Sequence, residues 1–181
     1  TRPAWGDIGP MCGTASPTFP VMGVLRLSHV DVTVTDLDLA TAYYTEVMGM
    51  LVVERDAESV YLKCWDEVDH HSLRLVYAPR VGFDLMSFKV ERDDDLSELE
   101  NAVARYGFPV QRVSKGESIG QGESIRFSTP SGHVMELVHD VEKVGGALPK
   151  INPAPFVPGL SGIAPPRMDH LLATAEEVGE A

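Results

Sequence analysis

Two stretches of this sequence follow one plan. In the first, VLRLSHVDVTV alternates from Val24, with Val30, Val32 and Val34 on one face and His29, Asp31 and Thr33 on the other. Thr35 and Asp36 then offer an N-cap to DLDLATAYYTEVMG, where Leu39, Tyr43 and Val47 recur at i, i+4, i+8 and Gly49 ends the helix. Three short strand-like runs follow: LVVER, SVYLKC and SLRLVY. The second stretch begins with the strand FDLMSFKV. Its helix, DDDLSELENAVARYG, sets Leu96, Leu99, Val103 and Tyr106 on one face and closes at Gly107. Strand-like runs around PVQRV, ESIRFS and HVMELVH complete it, with the turn TPSG before the last. His29 stands opposite Met86 and Gly49 opposite Gly107, displacements of 57 and 58 residues. Such a repeat predicts an α+β fold of two βαβββ units, spanning residues 22–142.

The flanks break this pattern. Residues 1–21 have neither period and are rich in Pro, Gly, Thr and Ser, which predicts a disordered leader. Residues 143–166 are crowded with Pro and Gly and read as a linker. After it RMDHLLAT repeats the opening RLSHVDVT, with His170 opposite His29. The plan therefore predicts that residues 167–181 start a third unit with its first strand.

Charge narrows the function. A net charge of −12 disfavours nucleic acid and anionic membrane surfaces, both of which call for a basic face. No stretch approaches the roughly 20 apolar residues of a membrane span, and no basic region followed by an apolar run marks a secretory signal. Two cysteines, Cys12 and Cys64, neither in a CxxC, suit a reducing cytoplasm. A small-molecule substrate or another protein remains as partner. No GxSxG or activated cysteine motif supports hydrolase chemistry.

Other candidates have plainer readings. DEVDHHS, Asp66 to Ser72, falls between two strand patterns and predicts a solvated hairpin, with adventitious nickel or zinc binding through His70 and His71 as the alternative. KGESIGQGES lacks the strand-to-helix context of a phosphate loop. Asp93, Asp94 and Asp95 complement a helix dipole. Cys64 and Trp65 read as core or interface residues.

Several separated motifs then stand in order: GVLRLSHVDVTVTDLDLATAYYTEVMGM, VYLKCWDEVDHHSLRL, MSFKV, TPSGHVMEL, NPAPF and GIAPPRMDHLL. Together they resemble the vicinal oxygen chelate superfamily, whose fold is glyoxalase- and bleomycin-resistance-like. Within it they resemble the catechol 2,3-dioxygenases, extradiol enzymes of aromatic catabolism with four units in two domains. The resemblance implies an iron-dependent oxidoreductase that cleaves catechol with O2 to 2-hydroxymuconate semialdehyde. It implies Fe(II) held in the C-terminal domain by two histidines and a glutamate, and a homo-tetramer. The first of those ligands falls on His170. The others, and the acid–base residues, have no counterpart in this sequence, so the resemblance implies an N-terminal fragment that is inactive by itself, with 167–181 starting a truncated catalytic domain. Two rival readings remain: a two-unit module that sequesters a small ligand, as drug-resistance members do, and a metal site on His29 and Glu136. Met86, where the second unit would offer its own ligand, is a poor donor to a hard divalent ion.

Overall fold

A computed structural model of the chain describes residues 23–145 and 159–174. The elements are β1 (Val24–Val34), α1 (Leu37–Ala42) running on as a π-helical turn (Tyr43–Val47), β2 (Leu51–Arg55), β3 (Ser59–Lys63) and β4 (Leu73–Tyr77), then β5 (Gly82–Val90), α2 (Asp93–Arg105), β6 (Val110–Val113), β7 (Ser124–Ser128) and β8 (Val134–Val138). Both expected βαβββ units are present. They join in a single eight-stranded sheet of order β2-β3-β4-β1-β5-β8-β7-β6. The first strands of the two units, β1 and β5, lie antiparallel at its centre, and each runs parallel to the last strand of its own unit.

Strand alternation gives the sheet two different faces. One face is apolar and lies under the helices. In the first unit Leu37, Met50, Val60, Leu62, Cys64, Leu73 and Leu75 form its buried cluster, with Val32, Val34, Ala40 and Tyr44 packed against it. In the second unit Val90, Leu96, Ile125 and Leu137 do the same, flanked by Phe88 and Leu99. Burying each such side chain contributes roughly 1.5–3 kcal/mol.

The caps follow the sequence. Asp36 accepts a hydrogen bond from the Leu39 amide at 2.9 Å. Gly49 and Gly107 sit at φ +78° and +88°, the left-handed region where a helix stop favours glycine. Asp95 in the first turn of α2 is buried and accepts from the Arg92 backbone and guanidinium.

The first helix departs from expectation. Leu39, Tyr43 and Val47 are 71%, 51% and 47% exposed, while Leu37, Ala40, Tyr44 and Met48 face the core. The segment is apolar on two sides, so a stripe at spacing four does not choose the buried one. In α2 Leu96 and Leu99 pack as expected, but Tyr106 is exposed.

Residues 159–174 return to the first unit. The Ile163 and Ala164 amides donate to the Val47 and Met48 carbonyls at 2.8 and 2.9 Å, satisfying the open end of the helix. A Cβ on Gly49 would overlap the Ser161 carbonyl, so this docking needs glycine there. Trp65 Nε1 donates to the Ala164 carbonyl at 2.9 Å, and Met168 packs against the first cluster. Cys64 and Trp65 are thus core and packing residues, as expected. The expected first strand of a third unit is not formed: residues 167–174 carry no strand pairing. A strand needs a ladder partner, and among the described residues none pairs with this segment, which leaves Leu172 85% exposed. The expected leader, residues 146–158 of the linker, and residues 175–181 lie outside the described residues.

Candidate functional site

The second face of the sheet is polar and, at its centre, buried. Alternation on β1 turns His29 and Asp31 to this face, β5 adds Ser87, β8 adds Glu136 and β7 adds Ser124, all buried. Two loops cover them. Residues 64–72 come from the first unit and bring His70 and His71. Residues 114–123 come from the second and bring Gln121. The loops meet through Glu142, in the segment after β8: the His70 amide donates to the Glu142 carbonyl and the Glu142 amide to the Gly120 carbonyl, both at 2.9 Å. Gly120 lies against the His70 ring, and a Cβ there would run into it.

This corrects the reading of Asp66–Ser72 as a solvated hairpin. Asp69, His70, His71 and Ser72 are each under about a tenth exposed, at 6%, 2%, 3% and 3%. The cover comes from the other unit, across a sequence distance that local pattern does not span. Tyr61 packs edge-on against both histidine rings, with centroids 5.7 and 5.1 Å away.

At the middle of the cluster, His29 Nε2 lies 3.7 Å from both Asp31 Oδ1 and Glu136 Oε1. The His29 and His71 ring centroids are 4.6 Å apart. Glu136 is fully satisfied: Ser87 Oγ donates to Oε1 at 2.9 Å, and Ser124 Oγ and Arg126 Nε donate to Oε2 at 3.1 and 2.6 Å. Asp31 is not. Arg74 donates to its Oδ2 at 3.2 Å, but its buried Oδ1 has no hydrogen-bond partner, and neither has Gln121 Oε1. An orphaned buried acceptor costs about 1–3 kcal/mol.

Burial pushes the His29 imidazole below its ordinary pKa, against the pull of Asp31 and Glu136. Burial drives His71 well below its ordinary value, helped by His29 and His70 beside it. The same desolvation raises Asp31, opposed by His29 and Arg74. Neutral imidazoles keep their lone pairs, the form that ligates a metal.

The structure therefore brings His29 and Glu136 together, as the two-unit reading expected, but Glu136 is already engaged. It does not bring Met86 to them. His29 pairs with Ser87 and Val30 with Met86, because Ser28 is an extra residue in the β1–β5 ladder. Asp31, His71 and Gln121 were not singled out from the sequence as a group. Alternation alone puts Asp31 beside His29, but nothing local joins them to residues 71 and 121.

His170 stands elsewhere. Its side chain is 87% exposed, and its Nδ1 lies 3.2 Å from Asp169 Oδ2. Among the described residues no second histidine or further carboxylate joins it, so the residues present do not make a three-ligand metal centre around it.

Comparison with known proteins bears on most of the chain. Residues 83–142 match the model of the catechol 2,3-dioxygenase-like N-terminal domain. The metapyrocatechase of Pseudomonas sp. (strain CF600) is 39% identical over 158 residues, covering 86% of this chain and 52% of that protein. The manganese-dependent 2,3-dihydroxybiphenyl 1,2-dioxygenase of Geobacillus genomosp. 3 is 28% identical over 151 residues, 82% of this chain and 48% of that one. The crystal structure of the 2,3-dioxygenase LapB from Pseudomonas sp. KL28 superposes with a TM-score of 0.77 at 38% identity, over 82% of this chain and 52% of LapB. The chain spans about half the length of these relatives.

Proposed function

We propose, from the premise that this chain is a member of the extradiol dioxygenase family, that it supplies the N-terminal domain of an enzyme that opens a catechol ring beside the diol with O2, giving 2-hydroxymuconate semialdehyde. The observation that supports this reading is the joint agreement of sequence and fold with LapB over 82% of the chain. A fold match alone would leave chemistry open, because one fold serves many functions.

We assign the domain a supporting role: packing, assembly and placement of the segment that carries His170. The docking of residues 161–168 on the helix end and on the 64–68 loop supports that assignment. Residues 167–181 are read as the start of a catalytic domain, with His170 as the first metal ligand. The metal is proposed as Fe(II), which a set of two histidines and one carboxylate suits while leaving positions open. When bound, it would supply binding of substrate and O2 and the redox chemistry between them. The manganese-dependent relative makes metal identity part of the test. The exposed Leu39, Tyr43 and Val47 stripe suits a homo-oligomer, proposed as a tetramer. The free buried thiol of Cys64 suits the cytoplasm. Among the described residues no helix is long and apolar enough to cross a membrane.

The experiment is a chimera. This chain is joined to the C-terminal half of the CF600 metapyrocatechase, reconstituted with Fe(II) or Mn(II), and given catechol. The proposal expects yellow ring-cleavage product with Fe(II), abolished by His170→Ala. A folded chimera whose product formation ignores His170→Ala contradicts it.

A further inference from the structure

We infer that His29, Asp31 and His71 form a binding site for one first-row divalent cation on the polar face of the sheet. The inference does not depend on the ring-cleavage reading. One ligand atom from each of the three lies within 4.8 Å of the others, and all three side chains are buried. The 3.7 Å between His29 Nε2 and Asp31 Oδ1 is near the ~3.4 Å edge of a tetrahedron with bonds of about 2.0–2.1 Å. The widest separation has to close by at most about 1.4 Å to reach that edge.

The second observation is the unpartnered acceptor. Asp31 is 3% exposed, and its Oδ1 lacks any donor. Gln121 Oε1 lacks one as well, while its Nε2 is 3.0 Å from His29 Nε2. Turning that amide over exchanges its nitrogen for its oxygen, an assignment that hydrogen bonding decides. The oxygen then takes the place beside His29 Nε2 and offers a fourth ligand. An orphaned carboxylate oxygen beside two imidazoles asks for a cation.

The size of the space selects the occupant. The cavity beside His29, Asp31 and His71 is about 10 Å³, at the lower bound for a single water and too small for any organic ligand. A site with two histidines and one carboxylate but no room for a substrate holds an ion structurally. Two imidazoles and a carboxylate, with one pair already near a tetrahedral edge, favour Zn²⁺. Glu136 is not a ligand, since three donors already occupy it. Arg74 and Arg126 are the opposing charges at this cavity; their side chains are 30% and 29% exposed, and Arg126 is paired with Glu136.

The test uses the untagged 181-residue chain, stripped with a chelator and titrated with Zn²⁺ by calorimetry and with Co²⁺ by visible absorption. The inference expects one equivalent of Zn²⁺ and the intense bands of four-coordinate Co²⁺. Asp31→Asn and His71→Ala should both weaken binding beyond the roughly 10–100-fold that loss of an outer-shell partner costs. His133→Ala and His170→Ala should leave it unchanged. Asp31→Asn keeps the side-chain shape, so it carries the test if His71→Ala fails to fold, with circular dichroism as the check. Absence of stoichiometric binding, which leaves water as the occupant of the cavity, overturns the inference. So does binding that survives both substitutions, or that vanishes with His170→Ala.

Discussion

The chain places histidines in two contrasting settings. Around His29 and His71 the sheet and two loops hold side chains within a few ångströms and shut out water. At His170 the ring stands exposed, and among the described residues it meets Asp169. The first region has ligand geometry without room for a substrate. The second has an exposed imidazole with, among the described residues, no further ligand beside it. Position in a repeat can single out a residue, but it is packing that surrounds a residue with partners.

The contrast should appear first in stability. Glu136→Ala strands Arg126 and two buried hydroxyls, and it should cost about 3–5 kcal/mol, read as a fall in the urea midpoint. A loss under about 1 kcal/mol would mean that water reaches the polar face.

Gly49→Ala should act on the other region. A side chain at φ +78° is strained, and its Cβ meets the Ser161 carbonyl. We expect about 1–3 kcal/mol of destabilisation and faster hydrogen exchange at the Ile163 and Ala164 amides. The Val30 amide, which donates to Ser72 under the buried cluster, should exchange as before. Equal acceleration at both places would merge the two regions into one cooperative unit.

Cys64 reports on the apolar face. Burial pushes its thiol up to about 12, with Glu67 adding to the shift. At pH 8 peptide mapping after alkylation should find it unmodified until denaturant is added. The sign of the linkage follows: the folded thiol holds its proton above the unfolded value of 9.0, so this stabilisation is complete below pH 9 and is lost as pH rises towards 12. Rapid labelling of Cys64 in the native chain would show that the first cluster opens.

The smallest effect is expected at His170 itself. His170→Ala should change stability by less than about 0.5 kcal/mol, since it removes one exposed ring. A larger loss would place the ring in contacts that the described tail lacks.

Much of the fold was legible in the sequence. The period of 57–58 residues located both units, alternation located the strands, and Asp36, Gly49 and Gly107 marked helix ends as read. What escaped was long-range. The burial of Asp69–Ser72 depends on residues 114–123 of the other unit. The choice between two apolar sides of α1 depends on which one meets β3 and β4. The displacement of Met86 by Ser87 depends on one extra residue in a ladder. His29 and Glu136 were legible as neighbours because both units begin and end at the sheet centre. Asp31 with His71 was not, because one sits on a strand and the other on a covering loop.

The central claim is that, among the described residues, no assembled site for ring cleavage surrounds His170. The direct measurement is a catechol cleavage assay on the purified 181-residue chain with added Fe(II), run beside its His170→Ala variant. The account predicts no yellow product from either. Product from the parent chain that disappears with His170→Ala would contradict it.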